Sequence, residues 1–140
     1  MGAKQNSTIK HVEKMQFQVQ QDGHTFLIDA AEEHGGEDKG VRPKALILTA
    51  LAGCTAMDVV SLLNKMKVGY SDFSISTDGE LTDEHPKIYH KVWLTYRIKL
   101  TNAEDKEKMQ KAVNLSQERY CGVAAMVRKF AELEINIEYL

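Results

Sequence analysis

Apolar positions recur along this chain in different rhythms, and each change of rhythm marks a change of element. From Ile9 to Val19 polar and apolar residues mostly alternate, most clearly at Met15, Phe17 and Val19, and Asp22-Gly23 offers a turn before Thr25 to Ala30. A period of two joined by an Asp-Gly pair predicts a set of short antiparallel strands. Residues 31 to 42 lose the alternation and place Gly35, Gly36 and Gly40 among charges. That composition predicts an exposed loop with unusual backbone angles. Pro43 to Lys67 then follows neither simple rhythm: between Ala45 and Asn64 the only formal charge is Asp58, and apolar residues fall on every face. A long helix is expected, with Pro43 at its first position and Lys65 and Lys67 at the negative end of its dipole. Being apolar all round, it should be surrounded by protein. Its uncharged part, Ala45 to Met57, is shorter than the roughly 20 residues that cross a bilayer, so a buried core helix is predicted.

Beyond the helix the period of two returns. Phe73, Ile75 and Leu81 mark one face of a strand, and Asp83-Glu84-His85-Pro86 turns into the most regular strand of the chain. There Ile88, His90, Val92, Leu94, Tyr96, Ile98 and Leu100 share one face, opposite Tyr89, Lys91, Trp93, Thr95, Arg97 and Lys99. The first set is expected inward. Thr101 or Asn102 can cap a following helix, with Glu104 completing a capping box and Met109, Ala112, Val113 and Ser116 lining its inner face. A polar break over Ser116 to Arg119 precedes a shorter helix starting near Tyr120 or Cys121, with Val123, Met126, Val127 and Phe130 inward. Leu133, Ile135, Ile137 and Tyr139 alternate with polar residues as a closing strand. Strand runs separated by helices define an α+β class, and 140 residues fit one domain, 1–140.

Composition removes several function classes. With 18 basic and 20 acidic residues the net charge is -2, and no basic block or basic-aromatic interleaving points to nucleic acid or an anionic membrane. The N-terminus has no apolar leader, and Ser7 falls one position late for a myristoylation pattern that starts at Gly2. A cytoplasmic protein with a small-molecule or protein partner is expected. The glycines lack phosphate-loop spacing. Cys54 and Cys121, the only cysteines, are too few for a disulfide scaffold and lack the C-x-x-C spacing of structural zinc. None of the five histidines has metal-ligand spacing, so no metal site and no cofactor is expected.

The cysteines are the candidate chemistry. In an apolar helix Cys54 is either a small packed hydrophobe or a reactive thiol with a polar partner, because burial alone raises a thiol pKa. Cys121, at a helix start, lies near backbone N–H groups that favour thiolate. Asp58 follows Cys54 by one turn, and a like charge there would oppose ionisation of a thiol.

Gly40-Val41-Arg42-Pro43, the run Leu46 to Val60 with Ala52-Gly53-Cys54-Thr55-Ala56-Met57-Asp58, His85-Pro86, and Arg119-Tyr120-Cys121-Gly122-Val123-Ala124-Ala125-Met126 resemble the osmotically inducible protein C and organic hydroperoxide resistance (OsmC/Ohr) family over nearly the whole chain. The resemblance implies an α+β fold of antiparallel sheets around the long central helix, in two chains intertwined as a homodimer. It implies that Cys54 is the peroxidatic thiol, that Cys121 resolves its sulfenic acid as an intramolecular disulfide, and that an external thiol reductant restores the pair. Hydroperoxidases of the family carry a glutamate just after the helix-opening proline and an arginine from an N-terminal loop that stabilises the thiolate. Here Lys44-Ala45 follows Pro43 and no arginine precedes Arg42. Arg42 and Lys44 are therefore the candidate thiolate-stabilising cations, within a chain or across the dimer. Two functions follow: thiol-dependent reduction of organic hydroperoxides in stress defence, or a non-catalytic small-ligand-binding dimer that kept the scaffold.

Overall fold

A computed structural model describes residues 2–140. The chain divides into two compact units, Met1–Ile47 and Leu48–Leu140.

In the first unit β1 (Thr8–Glu13), β2 (Gln16–Gln21) and β3 (His24–Ile28) form an antiparallel sheet in chain order. The alternation read from Ile9 to Val19 is thus two strands, broken where Lys14 adopts a φ of 49°. Asp22 and Gly23, at φ of 52° and 78°, make the expected tight turn, both residues left-handed as such a hairpin requires. The loop beyond β3 is organised by Asp29, which is buried. Its Oδ1 accepts from the Ala30 N–H at 2.7 Å, and its Oδ2 from the N–H groups of Glu37 and Lys39, each at 3.1 Å. Gly40 is demanded by space: a β-carbon there would sit 2.4 Å from the Leu27 carbonyl oxygen.

The central helix, α1, runs Leu46–Lys65. Pro43 precedes it by one tight turn, closed by Leu46 N–H to Pro43 O at 3.1 Å, so the proline sets up the helix and does not occupy its first position. At the other end Lys67 takes the left-handed position usually given to glycine, at φ 57°. The N–H groups of Val68 and Lys67 return to the carbonyls of Leu63 and Asn64, a double cap that buries Val68. Within one chain α1 buries a single line, Leu51, Thr55, Val59 and Leu63. Met57 is 77% exposed and Ile47 41%. The expectation of a helix covered on every face therefore fails for the isolated chain. By length and hydropathy α1 could cross a membrane, yet Thr55 is spent on hydrogen bonds inside the second unit.

The sheet of the second unit has the order β4-β5-β6, from β4 (Tyr70–Leu81), β5 (Tyr89–Leu100) and β6 (Glu132–Tyr139). β4 and β5 are antiparallel, whereas β6 lies parallel to β5. The sheet is mixed because the chain crosses back through two helices, α2 (Lys106–Leu115) and α3 (Gly122–Val127), before it adds β6. From Val92 to Ile98 the inward face of β5 is the one expected. At its start the faces exchange: Glu80 pairs with Lys91 and Leu81 with Tyr89, leaving His90 as an extra residue in a bulge. Tyr89 is buried, and His90 points out to Glu80, Nε2 to Oε1 2.7 Å. Leu81 is exposed as well. Gly79 makes room for the Tyr89 ring, since a β-carbon there would lie 2.6 Å from Cδ1.

The core joins Leu51, Val59 and Leu63 of α1 to Val92, Leu94, Tyr96 and Ile98 of β5 and to Met109, Ala112 and Val113 of α2. Truncating one such fully buried leucine to alanine costs about 2–5 kcal/mol. Asn102 flanks a short 3-10 turn, Ala103–Asp105, without a side-chain cap, so the capping box does not form. Val127 is buried as expected, but Met126 and Phe130, also expected inward, are 60% and 40% exposed, and Ala124 is buried with Val127.

Candidate functional site

Ser116 to Tyr120 is a continuation of α2, not a break. It is one wide π-helical turn, closed by Cys121 N–H to Ser116 O at 2.7 Å. Such a turn carries an extra residue, and here it turns Ser116 and Gln117 into the core and brings Cys121 against α1.

Cys54, near the middle of α1, is half-buried, and Cys121 is buried; both are free thiols. Their Sγ atoms and a carboxylate oxygen of Asp58 all lie within 4.8 Å of one another. Two helices and a hairpin apart in sequence, the cysteines meet because Tyr96 and α2 seat the π turn on α1. The placement of Cys121 just before α3 is as expected, and its Sγ accepts from the Ala124 N–H at 3.3 Å. Its ionisation is the opposite of the expectation. Burial, then the hydrogen bond and charge of Cys54 and the charge of Asp58, push the thiol up to about 11 against the single N–H. α3 is only six residues long, too short a dipole to outweigh them. Cys121 is thus a neutral thiol near pH 7.

Asp58 belongs to a polar chain absent from the sequence reading. Ser116 Oγ donates to Asp58 Oδ2 at 2.9 Å. Having spent its proton, Ser116 accepts from Thr55 Oγ1 at 2.7 Å, and Thr55 in turn accepts from Tyr96 OH at 2.6 Å. Tyr96 OH accepts from Gln117 Nε2 at 2.7 Å, and Gln117 Oε1 accepts from Arg128 Nη2 at 2.8 Å. The carboxylate can only accept and the guanidinium can only donate, so every hydroxyl between them has one direction available. Burial raises the Tyr96 pKa, which keeps its hydroxyl a donor. Each polar side chain in this core has a partner; among the described residues no buried side-chain N or O is left without one.

A recess of about 320 Å³ adjoins the site, lined by Asp58, Ser61, Leu62, Lys65 and Tyr120. The two expected thiolate-stabilising cations lie in the first unit. Arg42 is held there by Asp38, Nη2 to Oδ1 2.8 Å, and donates to Gly40 O at 3.0 Å; Lys44 sits in the turn before α1. The charged group found next to the thiols is Asp58, an anion. Cys54, Asp58 and Cys121 offer three donor atoms, one fewer than the four of a closed structural zinc site and the number of protein ligands in an open one.

Two free thiols, one in the central helix and one just before α3, thus meet in an α+β chain. The OsmC-like protein family model matches residues 36–136, and the chain belongs to that family. Among curated proteins it is similar to Protein YhfA of Escherichia coli, 31% identical over 123 residues that cover 84% of this chain and 91% of YhfA. Among solved structures it is similar to a hypothetical protein from Aquifex aeolicus, with TM-score 0.85, 25% identity and coverage of 99% of this chain and 98% of that one. It also shares its fold with an organic hydroperoxide resistance protein OsmC from Legionella pneumophila, with TM-score 0.68, 16% identity and 97% of each chain covered.

Thr55, Tyr96, Ser116, Gln117 and Arg128 are the site residues that sequence reasoning missed. One signal was present: Ser116 continues the apolar line of Met109, Ala112 and Val113, and a hydroxyl on an inward face needs a partner.

Proposed function

We propose that this chain reduces organic hydroperoxides with its two thiols, Cys54 attacking and Cys121 resolving, as part of a defence against oxidative stress. The observation that carries this reading is the approach of the two free sulfurs, both within 4.8 Å of Asp58 and of each other. Cys54 is the more exposed of the two and Cys121 holds its proton, which suits attack by the first and later closure by the second. The name of the Legionella protein points the same way. Oxidation of the pair to a disulfide balances reduction of ROOH to ROH and water, and an external thiol reductant reopens the bridge. The half-apolar recess beside Asp58 suits an alkyl or lipid-like peroxide. We place the protein in the cytoplasm, where both cysteines start reduced.

The working unit in this reading is a homodimer. α1 leaves Met57 and Ile47 open, and α3 and its flanks leave Tyr120, Met126 and Phe130 open, exposed apolar side chains of the kind that gather at interfaces between chains. A second copy covers them. Light scattering at micromolar concentration should give twice the chain mass; a monodisperse monomer would remove this part of the proposal.

The decisive assay is consumption of a dithiol driven by cumene hydroperoxide. Wild type should turn over, and Cys54→Ser should be inert. Cys121→Ser should accumulate a sulfenic acid that dimedone traps on Cys54. The competing function, a non-catalytic small-ligand-binding dimer, draws on the anion beside the thiols where a cation would activate them. It wins if Cys54 resists both peroxide and small alkylating reagents in the folded protein.

A further inference from the structure

We propose that Asp58 is the proton carrier for both thiol steps, and that the hydrogen-bonded chain running from Arg128 to Asp58 holds it in place for that work. The proposal deepens the hydroperoxide reading and rests on it.

The chemistry needs such a group. When a Cys54 sulfur attacks the outer oxygen of ROOH, the O–O bond breaks and its electron pair leaves on RO⁻, while the thiol proton must go elsewhere. An alkoxide is a poor leaving group, so a carboxylate that takes the thiol proton and passes it to the departing oxygen lowers the barrier, a gain of typically 10²–10⁴-fold. Products are Cys54–SOH and ROH. In the second step Cys121 gives its proton to the same carboxylate as its sulfur attacks the Cys54 sulfur. The S–O bond breaks, the hydroxide accepts that proton, and water leaves with the disulfide formed. Asp58 is within 4.8 Å of both sulfurs, so one carboxylate reaches both steps.

Its placement is over-determined. Oδ2 is tied to Ser116, and the carboxylate it anchors lies beside both sulfurs and lines the recess. Ser116 is fixed in turn by Thr55, Tyr96, Gln117 and Arg128. No hydroxyl in that sequence can reverse without losing two bonds. A carboxylate beside the thiols, where a thiol enzyme ordinarily keeps a cation, becomes intelligible as the acceptor that acts only during the reaction.

The test compares oxidants by leaving group. Alkyl hydroperoxides expel an alkoxide, whereas a peracid expels a carboxylate that needs no proton. Asp58→Asn should slow sulfenic acid formation with tert-butyl hydroperoxide by about 100-fold or more, yet slow the peracid reaction by less than about tenfold. Asp58→Glu should recover part of the alkyl hydroperoxide rate. Ser116→Ala, which keeps the carboxylate but releases it, should show the same selective defect in milder form, with Ser116→Thr restoring it; this pair serves if Asp58→Asn fails to fold. An Asp58→Asn protein equally impaired toward both oxidants overturns the delivery of the proton to the leaving oxygen, and one impaired toward neither overturns the role of Asp58 altogether, each while leaving the peroxidase reading intact. A wild type inert toward both oxidants removes the hydroperoxide reading and this proposal with it.

Discussion

Replacing Tyr96 by phenylalanine removes one oxygen atom from the middle of a buried chain. The ring is fully enclosed, and phenylalanine fills the same space, so packing changes little. Two short hydrogen bonds vanish, from Gln117 Nε2 at 2.7 Å and to Thr55 Oγ1 at 2.6 Å. A buried polar group left without its partner costs about 1–3 kcal/mol. Gln117 keeps a weaker 3.5 Å approach to Thr55, and Thr55 still donates to Ser116, which limits the damage at both ends. The expected loss is about 2–4 kcal/mol. Thr55→Val removes the neighbouring link and should cost a similar amount. Because the two changes break one shared bond, the double variant should fall short of their sum by at least about 1 kcal/mol. Urea unfolding at one fixed protein concentration measures all three, since self-association would otherwise shift the midpoints. Strict additivity, or a Tyr96→Phe cost below about 0.5 kcal/mol, would refute the account of a continuous, directional chain.

Three further outcomes follow from other features. Burial alone would raise the pKa of Asp29, but the N–H groups of Lys39, Ala30 and Glu37, with Arg42, hold it below the ordinary range. Its stabilisation is therefore present above the unfolded carboxylate pKa of about 3.9 and is lost as pH falls through the lower folded value; amide exchange at Glu37 and Lys39 should accelerate there and not near pH 6. Cys121, with its thiol at about 11, should resist iodoacetamide at pH 8 in the folded protein, and Cys54→Ser should make it more reactive by removing one cause of the shift. Gly79→Ala forces a methyl to within 2.6 Å of the buried Tyr89 ring; a loss of about 1–3 kcal/mol is expected, and Tyr89→Ala in the same chain should relieve the clash.

The element order was legible because most elements obey one rhythm. The alternation of β5 and β6 and the Met109, Ala112, Val113 stripe of α2 each report a local period that the fold keeps. Failures came where a single residue breaks the period. His90 is an inserted residue that exchanges the faces of a strand, and nothing in the letters around it announces a bulge. Ser116 and Gln117 look like a polar interruption because a π turn has no composition of its own. The cysteines were legible as candidates, and Cys121 as a residue at a helix start, but its charge state was not. That depends on Asp58 and Cys54 arriving from another helix, a long-range fact. Arg128 was unreadable for the same reason: an exposed arginine after an apolar helix is ordinary until Gln117 is seen to receive it.

The wide turn at Ser116 to Tyr120 also sets the tolerance of this chain to insertion and deletion. An α-helix advances about 100° per residue, and the π turn is the place where α2 and the stretch behind it are brought into angular agreement. A chain shortened by one residue between Ser116 and Tyr120 would close Cys121 N–H on Ser116 O as an ordinary helical turn and leave the thiol where it is. A chain lengthened by one residue there would keep every apolar residue of α2 on the core and carry Cys121 about a quarter-turn or more away from Cys54. Its hydrophobic pattern would look unharmed. The fold would survive an alteration that dismantles the thiol pair, so in this molecule the count of residues across five positions matters to the chemistry more than their identity.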